Sequence, residues 1–368
     1  MGEQDDVLRQ PAEVLYADEL ARLAKADKSP RPPGWKLSPQ AVRKFLLGDA
    51  KAKVSRKFYG DDPLVDRCIV ALMGTQGLML VGEPGTAKSM LSELLAAAIS
   101  GESGLVVQGS AGAVEDHFRY GWNYALLLAE GPSQRALTPS PILDAMRTGR
   151  IARIEELTRC PPEVQDAMIS ILSEKTIAIP ELGQEHAVRA RPGFNIIGTA
   201  NLRDRGVHDM SSALKRRFNF ETVHPIADPE FEKTLILKEL EKRWSGAGHK
   251  PGIDADVVDV LVATFHDLRT GRTRDGVSIG KPNAVMSTAE AVNVAHAASL
   301  EASYLDGKDL SAANIARQLQ GVVLKDDPED GKKLRAYVDH VAKERARTNP
   351  HWKDFYTALK ALRLEGGK

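Results

Sequence analysis

A chain of 368 residues is long enough for more than one packed unit, and 42% apolar with 5% aromatic residues is an ordinary globular mix. Fifty Lys plus Arg against fifty Asp plus Glu cancel, so the overall balance draws the chain toward neither nucleic acid nor an anionic membrane. Cys68 and Cys160, with no C-x-x-C spacing, argue against a disulfide framework and a zinc site, no apolar run approaches the ~18 residues of a membrane span, and the opening MGEQDDVLRQ is polar and acidic where a signal peptide is basic then apolar; a soluble cytoplasmic protein is expected.

To about Asp61 the chain is charged and carries a proline cluster, Ser29 to Pro39, which reads as a linker joining short helices. Gly77 to Val81, GLMLV, is an apolar run bounded by glycines and predicts a buried strand. Met90, Leu91, Leu94, Leu95 and Ala98 recur at helical spacing over Lys88 to Ser100, and Gly101 marks the stop. Leu105 to Gln108 and Ile151 to Ile154 predict further strands. Pro161 and Pro162 open a helix with Val164, Met168, Ile171 and Leu172 on one face. Thr176 to Pro180 and Ala187 to Ala190, around Glu181 to Gln184, suggest a hairpin. Phe194 to Ala200 and Phe218 to Val223 are the last predicted strands. Strands separated by helices predict a parallel sheet with helices on both faces. From Pro229 the pattern turns helical, over Glu230 to Arg243, Ala255 to Leu268 and Asn283 to Tyr304, punctuated by glycine-containing loops at Gly271 to Gly280 and Asp326 to Gly331.

The segment VGEPGTAKSM follows the first strand and opens the first helix, the context a phosphate loop requires. Backbone N–H groups at the helix N-terminus face the anion, Lys88 reaches the outer phosphates, and the Ser89 hydroxyl ligates Mg²⁺. The pattern G-x-x-x-x-G-K-[ST] fails only at Ala87, which is tolerable if its φ is negative. The loop residues expected around the phosphates are Gly82, Glu83, Pro84, Gly85, Thr86, Ala87, Lys88, Ser89 and Met90.

Such a loop needs acids at the tip of a neighbouring strand, and RIARIEE supplies Glu155 and Glu156. Glu155, one methylene longer than the usual Asp, is assigned to orienting the metal, directly or through an outer-sphere water, and Glu156 to the general base; a solvated turn is the bland alternative. Asn201 ends the strand FNIIGTA and could hydrogen-bond the attacking water or the γ-phosphate, or simply form a turn. Arg217, with Arg216 second, stands at the end of a short helix, where either could enter a neighbouring subunit's site or merely complement the helix dipole.

In order, GEPGTAKS, GPS…TPSPILDAM, ELTRCPPEVQDAMISILSEKTIAIPELG, GFNIIGTAN and SSALKRRF resemble the AAA+ ATPases, and within them the MoxR-like group, over about Phe58 to Leu305. The resemblance implies a P-loop αβα core with a parallel five-stranded sheet and a C-terminal α-helical lid. The expected organisation is an N-terminal helical and linker segment 1–57, the ATPase core 58–226, the lid 227–310 and a helical extension 311–368. It further implies ATP and Mg²⁺ as cofactors, a homo-oligomeric ring such as a hexamer, and a protein client, among which von Willebrand A-domain proteins are a family partner. Tyr59 and Gly60 fall where the adenine pocket lies, Asn201 becomes the first sensor, and Ser110 to Tyr124 and the hairpin at Glu181 match the group's insertions. Departures are Ala87 for Gly, Glu155 for Asp, and Ala289 where a second-sensor Arg is expected, with Lys281 as a candidate substitute. The expected activity is ATP hydrolysis coupled to remodelling or maturation of a partner. An ATP-gated scaffold with very slow hydrolysis and a DNA-linked restriction-type motor are the alternatives; neutral charge opposes the last.

Other features read as bland. His117, His208, His224 and His266 lack metal-ligand spacing. The loop RTGRTR, Arg269 to Arg274, is expected to be solvated rather than bound to phosphates. Val341 to Leu364 mixes basic and aromatic residues as a helix packed on the lid or docked to a partner.

Overall fold

Apolar runs in a parallel sheet must be covered on both faces, and the three central strands of the sheet here are buried at every residue. The computed structural model describes residues 9–183, 185–201, 206–245, 250–325 and 327–362; Gln184, Asp326 and the last residues of the predicted C-terminal helix lie outside them. Nine strands are present, β1 Gly77–Val81, β2 Val106–Gln108, β3 Tyr120–Trp122, β4 Leu137–Pro139, β5 Ile151–Glu155, β6 Thr176–Ala178, β7 Ala187–Arg189, β8 Asn195–Ala200 and β9 Phe218–Thr222, among the described residues. Five of them form one parallel sheet in the order β2-β5-β8-β1-β9. The pairs β3–β4 and β6–β7 are small antiparallel hairpins.

Side chains alternate between two cores. Leu78, Leu80, Ile151 and Ile197 join one cluster with Leu91 and Leu95 of the helix Lys88–Ser100. Met79, Val81, Ala152, Ile154, Ile196 and Ala200 join the other, with Ile142 and Met146 of the helix Pro141–Thr148 and Met168 and Ile171 of the helix Pro162–Glu174. A strand's period of two therefore sends Arg153, Glu155 and Thr199 to the face covered by the helix Lys88–Ser100. This alternation is what later decides which glutamate meets the phosphate loop.

The proline cluster joins two short helices, Ala17–Ala26 and Pro39–Leu47, as expected, and the segment before Asp61 is in addition part of the core. Trp35, Leu37, Phe45, Leu46 and Phe58 are buried in the same cluster as Leu78 and Leu91. The proline cluster is fastened: the Ser38 N–H and hydroxyl both donate to Asp27 at 2.7 Å, and Ser38 caps the helix Pro39–Leu47 by accepting from Ala41 N. Apolar residues scattered among prolines hid this packing from a periodicity argument.

The chain divides into two compact units, residues 1–83 with 87–223, and residues 224–368 with the loop residues 84–86. Four separate segments do not emerge, because core residues from Ala312 to Leu359 share one cluster with the helices before them. Ile236, Leu240, Leu261 and Phe265 pack in a single cluster with Leu319, Trp352 and Phe355. The helix Pro350–Ala361 lies against the helix Ala312–Val323, so the C-terminal aromatics serve packing. Arg269 belongs to the helix Ala255–Thr270 rather than to a solvated loop, and pairs with the fully buried Glu232 at 2.8 Å while Thr288 donates to the same carboxylate at 2.6 Å. The helix expected from Asn283 starts only at Thr288, because Ser287 and Glu290 form a reciprocal capping box there. Ala289 falls in its first turn, and Lys281 on the connection before it.

Candidate active site

The C-terminal edge of the sheet gathers the loop after β1, the end of β5 and the end of β8, the crevice where open α/β sheets bind ligands. Lys88 opens the helix Lys88–Ser100, and its ammonium donates to the carbonyls of Gly82 at 3.0 Å and Glu83 at 2.8 Å. Burial holds Lys88 below its ordinary pKa, against the opposing pull of Glu156, Glu155 and Glu83. Gly82 and Gly85 have φ of 153° and 74°, conformations that glycine adopts without strain.

Ala87 does not meet the condition under which it would be tolerated without strain, a negative φ: it sits at φ 67°, ψ 24°. A left-handed L-residue costs roughly 1–2 kcal/mol. Replacing it by glycine removes that strain but loosens the unfolded chain, which costs about 0.4–1 kcal/mol. Ala87→Gly is therefore expected to match wild-type stability or exceed it by up to about 1 kcal/mol, whereas the β-branched Ala87→Val loses stability and nucleotide affinity. Urea unfolding checks this; a glycine variant clearly weaker than wild type contradicts the left-handed geometry.

Glu155 ends β5 with its carboxylate nearly enclosed. Its Oε2 accepts from the Ser89 hydroxyl at 2.6 Å and from Thr199 Oγ1 at 2.7 Å. Its Oε1 accepts from Arg153 Nη2 at 2.7 Å and lies 2.9 Å from Ser92 Oγ. Burial alone would raise this carboxyl's pKa; the hydroxyls of Ser89 and Thr199, the Arg153 charge and Ser92 together hold it below the usual value. The Ser89–Glu155 contact brings a neutral hydroxyl and an ionised carboxylate together, the hard oxygen donors magnesium takes.

Glu156 breaks the strand alternation. Its backbone is left-handed, φ 55° and ψ 47°, so its side chain does not continue into the core face where strand geometry would send it. Its N–H donates to Thr199 Oγ1 at 3.0 Å, so a single hydroxyl ties the two glutamates together. Its Oε2 is buried with no hydrogen-bond partner among the described residues, and Arg159 Nε stands 3.9 Å from it. The carboxylate borders a cavity of about 320 Å³ lined also by Gln108, Gly109 and Ser110. Gly109 has to be glycine, because a Cβ would lie 2.3 Å from the Glu156 carbonyl, and its N–H donates to the Glu155 carbonyl at 2.7 Å.

Asn201 follows β8 directly and is buried. Arg216 and Arg217 follow the short helix Ser212–Lys215, but differ: Arg216 is exposed, while Arg217 donates to Ser173 Oγ at 2.9 Å and to the Ala213 carbonyl at 2.8 Å. Tyr59 and Gly60 precede the helix Asp62–Met73, which packs on β1 and β9; Arg56 lies over the Tyr59 ring at 5.8 Å. Cys68 and Cys160 are buried free thiols, and burial pushes Cys68 up to about 12. The sequence reading missed Arg153, Ser92, Thr199 and Gly109. The first had a signal: a charge two residues before Glu155 in an otherwise apolar strand shares its face.

Two family models match the chain, the AAA domain of the dynein-related subfamily over residues 77–218 and the YehL-like AAA+ ATPase C-terminal domain over residues 230–363. The Escherichia coli (strain K12) protein YehL is 48% identical over 357 residues, covering 96% of this chain and 97% of its own. The Staphylococcus haemolyticus protein SH1500 is 25% identical over 196 residues, 53% of this chain and 69% of its own. Among solved structures, NtrX from Brucella abortus in complex with ADP aligns with a TM-score of 0.48 at 14% identity, covering 83% of this chain and 65% of that one, less than two thirds of its length. No helix among the described residues is long and apolar enough to cross a membrane. A relative of near-equal length at 48% identity, with one family model on each part of the chain, shows that the protein belongs to the YehL-like AAA+ ATPases.

Proposed function

We propose that the protein is a MoxR-like motor that binds Mg-ATP at the C-terminal edge of its sheet, assembles as a ring, expected to be a hexamer, and couples hydrolysis to remodelling or maturation of a protein client, a von Willebrand A-domain protein being the kind the resemblance suggests. The observation that carries the reading is the convergence of the Ser89 hydroxyl on Glu155 at 2.6 Å beside Glu156, whose buried Oε2 has no hydrogen-bond partner among the described residues. Gly82 to Met90 would wrap the phosphates, every residue but Pro84 having a backbone N–H to offer, and Lys88 would exchange its two loop carbonyls for phosphate oxygens. Ser89 and Glu155 would hold magnesium, which when bound neutralises charge on the phosphates. Glu156 takes the proton of the attacking water, and Asn201 orients that water or the γ-phosphate. Tyr59 and Gly60 are assigned to the adenine. An arginine donated in trans completes the site. Of the two candidates we place Arg216 first and Arg217 second, against the order expected from sequence; the exposure of Arg216 and the bonds that hold Arg217 to its own subunit support this.

A scaffold that assembles on ATP and turns it over slowly has one observation in its favour: Arg153 already compensates the Glu155 charge at 2.7 Å. One experiment addresses both readings. ATP with magnesium is expected to raise the melting temperature of the purified chain and to shift it to a ring-sized species on a sizing column, with phosphate release on the scale of 1 s⁻¹ or faster. Assembly without release supports the scaffold, and no response to ATP sinks both.

A further inference from the structure

We infer that Arg153 is a positioning residue for Glu155, and that the two act as a matched pair allowing a glutamate to serve where the shorter aspartate is usual. The inference rests on the nucleotide-site reading above and deepens it. Arg153 is buried, 7% exposed, in the middle of β5, and each guanidinium nitrogen has a partner. Nε donates to Ser92 Oγ at 2.9 Å, Nη1 to the Ser103 carbonyl at 3.0 Å, and Nη2 to the Ser89 carbonyl at 3.0 Å and to Glu155 Oε1 at 2.7 Å.

These bonds divide the carboxylate between two tasks. Oε1 is held by Arg153 and Ser92, on the side of the helix Lys88–Ser100 away from its first residue. Oε2 is left to the Ser89 hydroxyl and Thr199. A rigid guanidinium fork fixes orientation as well as charge, which a lysine ammonium does not. Anchoring Oε1 uses up the reach of the extra methylene, about one carbon–carbon bond or ~1.5 Å, and brings Oε2 to Ser89. A buried cation inside a sheet is unfavourable unless paired, so Arg153 and Glu155 are mutually dependent. A merely structural counter-charge would satisfy that requirement too, so the test has to separate orientation from charge.

The measurement is nucleotide affinity by fluorescent ATP-analogue titration, first in EDTA and then against magnesium concentration. Arg153→Met and Arg153→Lys are expected to bind the analogue in EDTA within about threefold of wild type, because the phosphate loop is intact. Both are expected to need roughly tenfold more magnesium for the half-maximal gain in affinity, and to hydrolyse ATP about 10–100-fold more slowly, the usual penalty of a displacement near 1 Å. In a Glu155→Gln background, Arg153→Met is expected to change the magnesium response no further, since Arg153 acts through the carboxylate. Arg153→Lys keeps the charge, so a folded lysine variant with the wild-type magnesium response overturns the proposal even if the methionine variant fails to fold. An additive effect in the Glu155→Gln background overturns it as well. If wild type itself binds no analogue, the nucleotide-site reading falls and this proposal with it, whereas a responsive wild type alongside a wild-type-like Arg153→Lys removes this proposal alone.

Discussion

Glu156→Gln is expected to bind Mg-ATP as wild type does and to lose hydrolysis by about 10²–10⁴-fold, the usual worth of a positioned general base. The amide keeps the shape and cannot accept the water's proton. The substitution breaks little else, because the Glu156 Oε2 has no hydrogen-bond partner among the described residues and the contact to Thr199 is made by the backbone N–H. Stability should therefore change by no more than about 0.5 kcal/mol, as for positions outside buried networks. Single-turnover phosphate release, set beside a binding titration and a thermal melt, checks all three points. Hydrolysis within about threefold of wild type would move the base elsewhere. Glu155 is not equivalent: its carboxylate makes four polar contacts, so a defect at Glu155 mixes chemistry with local rearrangement.

Arg216→Ala is expected to lower turnover by about 10³-fold or more with nucleotide binding intact, the magnitude of a lost arginine finger. Because the arginine is proposed to act on a neighbouring site, the loss should be repaired in mixtures. A subunit with Arg216→Ala keeps its own Lys88, Glu155 and Glu156, and a subunit with Glu156→Gln keeps its arginine to donate. Mixed rings should then recover a clear fraction of wild-type rate although each variant alone is inactive. Arg217→Ala is expected to lose chiefly stability, about 1 kcal/mol, because its guanidinium is engaged by Ser173 and the Ala213 carbonyl. Phosphate release from titrated mixtures decides the matter. Failure of any mixture to recover argues that each site is complete within one chain, and an inactive but stable Arg217→Ala beside an active Arg216→Ala restores the order expected from sequence.

Much of the core was legible because its signals are local. GLMLV reads as a buried strand since four consecutive apolar residues after Gly77 have no other use beside a glycine-rich loop, and the helix Lys88–Ser100 is bounded as its spacing and Gly101 predict. The short strands β3 and β4 carried no such signal. Three residues are too few for an alternation to show, and only pairing with each other defines them. The short helices of the N-terminal segment were legible but their burial was not, for a related reason: Trp35, Phe45 and Leu46 become core only when a sheet elsewhere in the chain offers them a surface.

At the candidate site, residue types and their order along the chain came from sequence alone: a lysine and a serine after the first strand, two glutamates closing another, an asparagine closing a third. Folding decided what each of them touches. Strand alternation sends Glu155 to Ser89, a left-handed backbone turns Glu156 aside, and Thr199, 43 residues from the second glutamate in sequence, holds both. Ala87 takes a positive φ that spacing cannot express, whereas the shared face of Arg153 and Glu155 follows from their spacing and only their ion pair with its partners had to be seen. Periodicity reports which face a side chain occupies, but a contact between strands depends on register and on backbone angles set by packing of the whole sheet, and only the three-dimensional arrangement supplies those.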